Sequence, residues 1–375
     1  MRIAVLSSHT PSLFWFRMDM MKAFQKCGHE VVAVANEPED QWREKFAEHG
    51  IVYRQIQVQR NGTNPVKDLK TLSSIKAVLR EVRPDKIFTF QAKTVIYGGI
   101  AANQLGITEV YPLIAGMGSV FLKDDFKTRV IRTILKTEYR MAMRKCPTVF
   151  FQNHDDEAIF RKYHIIGKQK IAMMRGSGVN LEKFCVQPLP EKFGFLCISR
   201  LIRDKGVGEY LEACKRLKEK YSELRCLLVG PFDSNPSALR HEELQPFLDA
   251  GVEYYGEQTD VRPYLAQCNV FVLPSYREGT PKTVLEAMAS GRAVLTTDAP
   301  GCRETVKQGI NGYMVPVRDI NALTEKMEEL YLHPELICQM GIEGRRMAEE
   351  IFDVNSVNRF VCETMGLYEA ETILK

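Results

Sequence analysis

Asn269-Val270-Phe271-Val272-Leu273-Pro274-Ser275-Tyr276-Arg277-Glu278-Gly279-Thr280-Pro281-Lys282-Thr283-Val284-Leu285-Glu286-Ala287-Met288-Ala289-Ser290-Gly291 is the stretch on which the reading of this chain turns. Its first five residues form a short apolar, β-branched run of the kind that fills a buried parallel strand. Val284, Leu285, Met288 and Ala289 then recur at helical spacing, and Gly291 supplies a stop. The stretch therefore reads as strand, tight loop and helix, with Glu278 in the loop and Glu286 about two turns into the helix. In open α/β sheets, ligands bind where a strand's carboxyl end meets the next helix. Backbone N–H groups between Gly279 and Thr283, Pro281 excepted, would gather there with the positive end of a helix dipole, which suits phosphate. Two carboxylates beside such a site suit sugar or ribose hydroxyls, which they hold as acceptors. The same residues also fit a loop charge and a solvated helix face.

The 375 residues exceed one ordinary core and fit two domains, and 45% hydrophobic with 26% charged residues describes a globular chain. No run approaches the roughly 18–20 apolar residues that span a bilayer. The opening Arg2-Ile3-Ala4-Val5-Leu6 reads as a strand rather than a signal peptide. Ten cysteines without a single C-x-x-C pattern read as small buried hydrophobes in a reducing compartment, not as a metal or disulfide framework. Charge is uneven. Residues 1–185 hold 29 Lys and Arg against 18 Asp and Glu, or +11, while the remainder hold 22 against 29, or −7. A basic first half suggests that one domain meets an anionic surface.

Working outward, strands and helices alternate from residue 2 to residue 163 and again from residue 193, with a hinge expected between Gly176 and Pro190. The fold class is α/β: two doubly wound parallel-sheet domains, with a cleft between them as the expected ligand site. The expected boundaries are 1–185, 186–350, and a terminal helix in 351–375 able to pack back on either domain. The first βαβ unit lacks G-x-G-x-x-G, which argues against a dinucleotide. Ala115-Gly116-Met117-Gly118-Ser119, after a strand at 109–114, is either a close-approach loop or a plain turn. Residues 121–145 carry eight basic residues against three acidic, with Phe126, Val130, Ile134 and Met141 roughly on one face. That helix fits an anionic membrane surface, and it equally fits a packed helix with a solvated face.

Taken together, Glu278-Gly279-Thr280-Pro281-Lys282-Thr283-Val284-Leu285-Glu286, Arg200 with Lys205-Gly206, Gly230 at a strand end and Asn311-Gly312 in a late turn resemble the family 4 retaining glycosyltransferases. The resemblance covers nearly the whole chain and implies the GT-B fold, two Rossmann-like domains facing a cleft. It implies that Arg200 and Lys205 hold the donor diphosphate, and that Glu278 contacts the donor sugar. Glu286 would hold ribose hydroxyls, while Gly230, Gly279, Thr280 and Thr283 complete the donor site. Arg200, Lys205 and Glu278 are the residues expected to carry catalysis. Fixed cations suit a leaving diphosphate, whose charge grows as the glycosidic bond breaks. No metal and no cofactor are implied beyond a UDP-sugar donor. Where some members carry a histidine after a mid-domain strand, this chain has Leu113 to Gly118, and His9 in the first loop is the remaining candidate.

The segments Ser7-Ser8-His9-Thr10, Phe14-Trp15-Phe16-Arg17 and Ala115 to Ser119 look like the bacterial subgroup that elongates polyprenyl-diphosphate-linked oligosaccharides, N-acetylgalactosaminyltransferases among them. His9, Arg17, Gly116, Gly118 and Ser119 are accordingly expected on the acceptor side. The membrane reading of residues 121–145 gains from this, with the protein expected in the cytoplasm, peripheral at the inner face of the membrane. The expected partners are a nucleotide-sugar, a polyprenyl-diphosphate-linked or other glycan acceptor and an anionic membrane, but no nucleic acid. The alternatives are a GT-B UDP-sugar hydrolase or epimerase, for which the chain shows no clear acid–base set, and a nucleotide-sugar-binding protein without turnover.

Overall fold

A computed structural model describes residues 1–59, 62, 64–117, 121, 125–233, 235 and 237–368. Two compact units divide the chain: Met1–Ser177 with the segment from Asn355 onward, and Gly178–Val354. Residues 178–185, assigned by sequence to the first domain, fall in the second unit for a visible reason. Val179 N–H donates to Phe352 O at 2.8 Å and Val354 N–H donates to Val179 O at 3.0 Å, so the strands entering and leaving that unit are bonded to each other.

In the first unit, β1 (Arg2–Leu6), β2 (Glu30–Ala35), β3 (Val52–Gln55), β4 (Lys86–Phe90), β5 (Val110–Ile114), β6 (Thr148–Phe151) and β7 (Lys170–Met173) form one sheet in the order β3-β2-β1-β4-β5-β6-β7. Every pairing is parallel. The connections are α1 (Thr10–Lys26), α2 (Glu39–Ala47), α3 (Pro65–Val82), α4 (Ala92–Leu105), α5 (Phe126–Met143) and α6 (His154–Lys162). Burial on both faces explains why these strands read as unbroken apolar runs. Strand β7 was not anticipated, because Lys170-Ile171-Ala172-Met173 is too short and mixed to signal an edge strand. α5 begins at Phe126, with Asp125 accepting from Thr128 N–H at 3.0 Å as its N-cap, rather than at residue 121.

The second unit repeats the scheme with β8 (Gly194–Ile198), α7 (Val207–Lys220), β9 (Arg225–Val229), α8 (His241–Asp249), β10 (Glu253–Tyr254), α9 (Arg262–Leu265), β11 (Val270–Leu273), α10 (Lys282–Ala289), β12 (Ala293–Thr297), β13 (Gly312–Val315), α11 (Ile320–Leu332) and α12 (Pro334–Ile351). Its parallel sheet runs β10-β9-β8-β11-β12-β13. Between β12 and β13 lies a one-turn 3-10 segment, Arg303–Thr305. The last helix, α13 (Val354–Thr364), sends Val357, Val361 and Cys362 into the first unit's core beside Ile3, Phe88 and Phe150.

Each sheet reverses its strand order once, between β1 and β4 in the first and between β8 and β11 in the second. Such reversals splay neighbouring loops apart at the carboxyl edge and open a crevice there.

Candidate active site

At the second sheet's reversal, the loop after β8 (residues 199–206) meets the loop after β11 (residues 274–281). They are stitched together: Ser275 Oγ and Tyr276 N–H both donate to Asp204 O, at 3.2 and 3.0 Å. The Tyr276 hydroxyl donates to Glu209 on α7, and the Thr297 hydroxyl at the end of β12 donates to Ser275 O. The loop carrying Glu278 is thus fixed from both sides.

Lys205 Nζ lies 2.5 Å from Glu278 Oε1, with both side chains largely buried. A cation and a carboxylate are therefore joined in advance, the ammonium keeping two further N–H donors for a ligand. Arg200 is more exposed and is oriented by Asp233, Nη1 to Oδ2 at 2.7 Å. Asp233 was missed from sequence; its signal is Gly230-Pro231-Phe232-Asp233 directly after β9.

Gly230 has a packing reason to be glycine. Its φ is +143°, and a Cβ would lie 1.8 Å from Ser199 O. Gly301, to which the sequence reading gave no role, backs the Glu278 loop. With φ +81°, its Cβ would lie 2.3 and 2.4 Å from the carbonyl oxygens of Glu278 and Gly279, and Pro300 O accepts from Glu278 N–H at 2.8 Å. Gly279 is buried and Thr280 and Thr283 are half-buried, leading into the first turn of α10. That turn's N–H groups have no preceding helical carbonyls, and the helix dipole adds positive potential there.

Glu286 lies about one turn into α10, not the two turns expected, because the helix begins only at Lys282; it sits on the buried face, 8% exposed between Leu285 and Ala287. Burial pushes its carboxyl up to about 7; Lys282 and Lys183 oppose the rise, and Asp260 adds to it. Lys282 Nζ stands 4.0 Å away, too far for a hydrogen bond. Among the described residues the Glu286 carboxylate accepts no hydrogen bond, which leaves its oxygens for hydroxyl donors.

In the first unit, the strand ends at the reversal are tied by Gln91. This residue has φ +71°, and its Oε1 accepts from Ser7 Oγ, Ser8 N–H and Ser8 Oγ at 2.9, 2.9 and 2.7 Å. His9 precedes α1, with Nδ1 2.8 Å from Ser12 Oγ and Nε2 4.0 Å from Glu37 Oε1. Arg17 is 4% exposed, its guanidinium carbon 4.9 Å from the centre of the Phe90 ring. Burial lowers it from 12.5 to about 10, still protonated at neutral pH. Gly116 follows β5 with φ +99°. Gly118 and Ser119, also expected on the acceptor side, lie outside the described residues.

α5 has two apolar faces. Leu135, Tyr139, Ala142 and Met143 pack into the core, whereas Phe126 (83% exposed), Val130, Ile134 and Met141 face outward. Its basic face is partly engaged by the protein. Arg132 donates to the Tyr163 hydroxyl at 3.0 Å, Arg140 donates to the carbonyls of Tyr163 and His164, and Lys136 sits 4.8 Å from the Tyr163 ring centre. Among the described residues no helix is long and apolar enough to cross a membrane, and no group of three His, Cys, Asp or Glu side chains is placed to hold a metal ion.

Two family models match this chain: glycosyl transferase 4-like over residues 2–153, and glycosyl transferases group 1 over residues 192–333. Among curated proteins it is similar to the N,N'-diacetylbacillosaminyl-diphospho-undecaprenol α-1,3-N-acetylgalactosaminyltransferase of Campylobacter jejuni, at 30% identity over 88% of this chain and 89% of that protein. It is also similar to the UDP-Gal:α-D-GlcNAc-diphosphoundecaprenol α-1,3-galactosyltransferase of Escherichia coli, at 26% identity over 68% and 69%. Among solved structures, a sucrose-phosphate synthase from Thermosynechococcus elongatus aligns with TM-score 0.82 and 20% identity over 97% of this chain and 98% of that one. HepE of Anabaena in complex with UDP-glucose aligns with TM-score 0.77 and 16% identity over 98% and 99%. At such identities the structural likeness speaks for the fold, the GT-B pairing of two Rossmann-like domains.

Proposed function

The chain belongs to the family 4-like glycosyltransferases, and we propose that it moves a sugar, an N-acetylhexosamine or hexose, from a UDP-sugar to a polyprenyl-diphosphate-linked glycan with retention at the anomeric carbon. The observation that carries this reading is the Lys205–Glu278 pair at the second sheet's reversal, with Glu286 eight residues further along on the face of α10.

In this reading the donor's diphosphate lies against Lys205, Arg200 and the first turn of α10, its sugar against Glu278, Gly279 and Thr280, and its ribose hydroxyls against Glu286. The bond between the anomeric carbon and the β-phosphate oxygen breaks, and the acceptor hydroxyl adds to that carbon from the same face. Its proton passes to the departing phosphate oxygen, giving UDP and the lengthened glycan. Lys205 and Arg200 bind the diphosphate more tightly as its charge grows, which is what lowers the barrier. Glu278 both orients Lys205 and accepts from the sugar, so diphosphate and sugar are read by one coupled pair. Likeness to two transferases that act on diphospho-undecaprenol sugars supports the acceptor, and the second of them, whose donor is UDP-galactose, supports a UDP-sugar donor. That likeness also supports placing the enzyme at the membrane's inner face, with the outward stripe of α5 entering the headgroup region and the first half's charge of +11 drawing the protein to anionic lipid.

The test is release of nucleoside diphosphate by the purified chain from a panel of UDP-, GDP- and ADP-sugars, with and without a polyprenyl-diphosphate-sugar, in EDTA. Acceptor-dependent release from one UDP-sugar is the expected result. Release that ignores the acceptor would identify a hydrolase, and UDP binding without release under any condition would identify a binding protein.

A further inference from the structure

Among the described residues the fold buries two arginines, and it treats them oppositely. Arg292 is fully buried and fully used: Nε donates to Leu265 O at 2.8 Å, and its two terminal nitrogens donate to Gln187 O and Pro188 O at 3.0 Å each. It anchors the chain entering β8. Arg17 is buried to 4% exposure, yet among the described residues its Nε has no hydrogen-bond partner. Its guanidinium carbon lies over the face of Phe90, 4.9 Å from the ring centre. A buried guanidinium without partners is costly, and proteins normally pair such a group or replace it with a hydrophobe.

The position of this group is informative. Phe90 is the last residue of β4, so the guanidinium sits at the carboxyl edge of the first sheet, at the strand from which the order reverses. Side chains on a helix lean toward its N-terminus, which carries Arg17 from α1 toward that edge. Stacking on an aromatic face holds the guanidinium plane while leaving its edge N–H groups for a planar or tetrahedral oxyanion. The second sheet places Arg200 and Lys205 at the equivalent reversal.

We propose that Arg17 is an anion-binding residue that takes a phosphate oxygen of the acceptor's diphosphate at the first sheet's reversal. The identity of the ligand rests on the acceptor reading above; the anion site itself rests on the buried guanidinium's unpartnered Nε and its place in the fold. The ligand supplies the hydrogen bonds that the protein withholds, so Arg17 contributes to binding at a standing cost to stability.

The test uses the full chain with its donor site saturated by UDP, titrated calorimetrically with inorganic pyrophosphate and, as a control, acetate. Wild type is expected to bind pyrophosphate in preference to acetate. Arg17→Met is expected to weaken pyrophosphate at least about tenfold while leaving UDP unchanged, as loss of charge-assisted hydrogen bonds would do. Its melting temperature is expected to equal or exceed wild type, since methionine fills the space without an unpaired charge. Arg17→Lys, which keeps the charge but loses the planar fork, is expected to fall between them and covers the case in which the methionine variant misfolds. Pyrophosphate binding that is absent in UDP-loaded wild type, or unchanged in Arg17→Met, overturns the proposal. In steady-state transfer to a polyprenyl-diphosphate-sugar, Arg17→Met is expected to raise KM for acceptor and not for donor. An unchanged acceptor KM overturns Arg17 while the acceptor reading stands. No transfer by wild type, with pyrophosphate binding lost in Arg17→Met, removes the lipid acceptor and keeps the anion site.

Discussion

Glu286→Gln should make the protein more stable and a worse binder of UDP, and both effects should depend on pH. Burial raises the Glu286 carboxyl from its ordinary 4.5 to about 7. Between those values the folded chain holds a proton that the unfolded chain has released, so this group's contribution to stability is fully present below about pH 4.5 and is lost as pH rises toward 7. That rise from 4.5 to about 7, at about 1.36 kcal/mol per pH unit, makes the ionised carboxylate cost about 3 kcal/mol. Glutamine matches the protonated acid in shape and neutrality, so the variant should gain about 3 kcal/mol at pH 8.5 and less than about 1 kcal/mol at pH 5. For a unit of this size that is roughly 6–12 °C in melting temperature at the higher pH. Binding should run the other way. If ribose hydroxyls donate to the ionised carboxylate, UDP affinity in wild type should rise about tenfold between pH 6 and pH 8, and Glu286→Gln should flatten that dependence. Scanning calorimetry at the two pH values and UDP titration across the range are the measurements. A variant that loses stability at pH 8.5, or keeps the tenfold rise in affinity, would refute the reasoning.

Lys205→Ala should lower kcat by about 10²–10³ in the transfer assay, the scale for removing a preorganised group that faces developing charge; less than threefold would mean the diphosphate is held elsewhere. Gly301→Ala drives a methyl into the carbonyls of Glu278 and Gly279, at 2.3 and 2.4 Å, and must displace that loop. About 1–3 kcal/mol of lost stability is expected, with donor affinity falling alongside it. Phe126→Glu with Ile134→Glu should abolish flotation with vesicles of phosphatidylglycerol and phosphatidylcholine while leaving UDP binding intact; unchanged flotation would show that the outward stripe of α5 is not the membrane contact.

The alternation of apolar runs with helical periods made both sheets legible, because parallel strands buried on two faces carry an unmistakable composition. The pairing of Lys205 with Glu278 was not legible, since a contact between residues 73 positions apart has no local signature and the resemblance supplied roles, not geometry. Asp233 and Gly301 were missed for a related reason: each acts by positioning a neighbour, Arg200 in one case and the Glu278 loop in the other. β7 escaped notice as a four-residue edge strand. The basic face of α5 read as free charge, whereas Arg132 and Arg140 spend it on residues 163 and 164.

Two anomalies were nevertheless written in the sequence as breaks in pattern. On α1 the buried stripe Leu13, Arg17, Met20, Met21 and Phe24 has a cation where the period asks for a hydrophobe, and on α10 Glu286 interrupts Val284 to Ala289 in the same way. A charge at a core position marks either an internal strut or a ligand site, and periodicity alone does not separate them. Arg292 shows the first outcome, with three carbonyls receiving its N–H groups. For Arg17 and Glu286 we propose the second: Arg17 Nε and the Glu286 carboxylate have no hydrogen-bond partner among the described residues, and each group is displaced from its ordinary pKa by burial itself. The distinction is energetic and can be measured. Removing a strut charge leaves carbonyls unsatisfied and lowers the melting temperature, whereas removing an unpartnered charge relieves a desolvation cost and raises it. Arg292→Met should therefore destabilise the chain while Arg17→Met and, above pH 7, Glu286→Gln do not; if all three fall together, the unpartnered charges are struts after all.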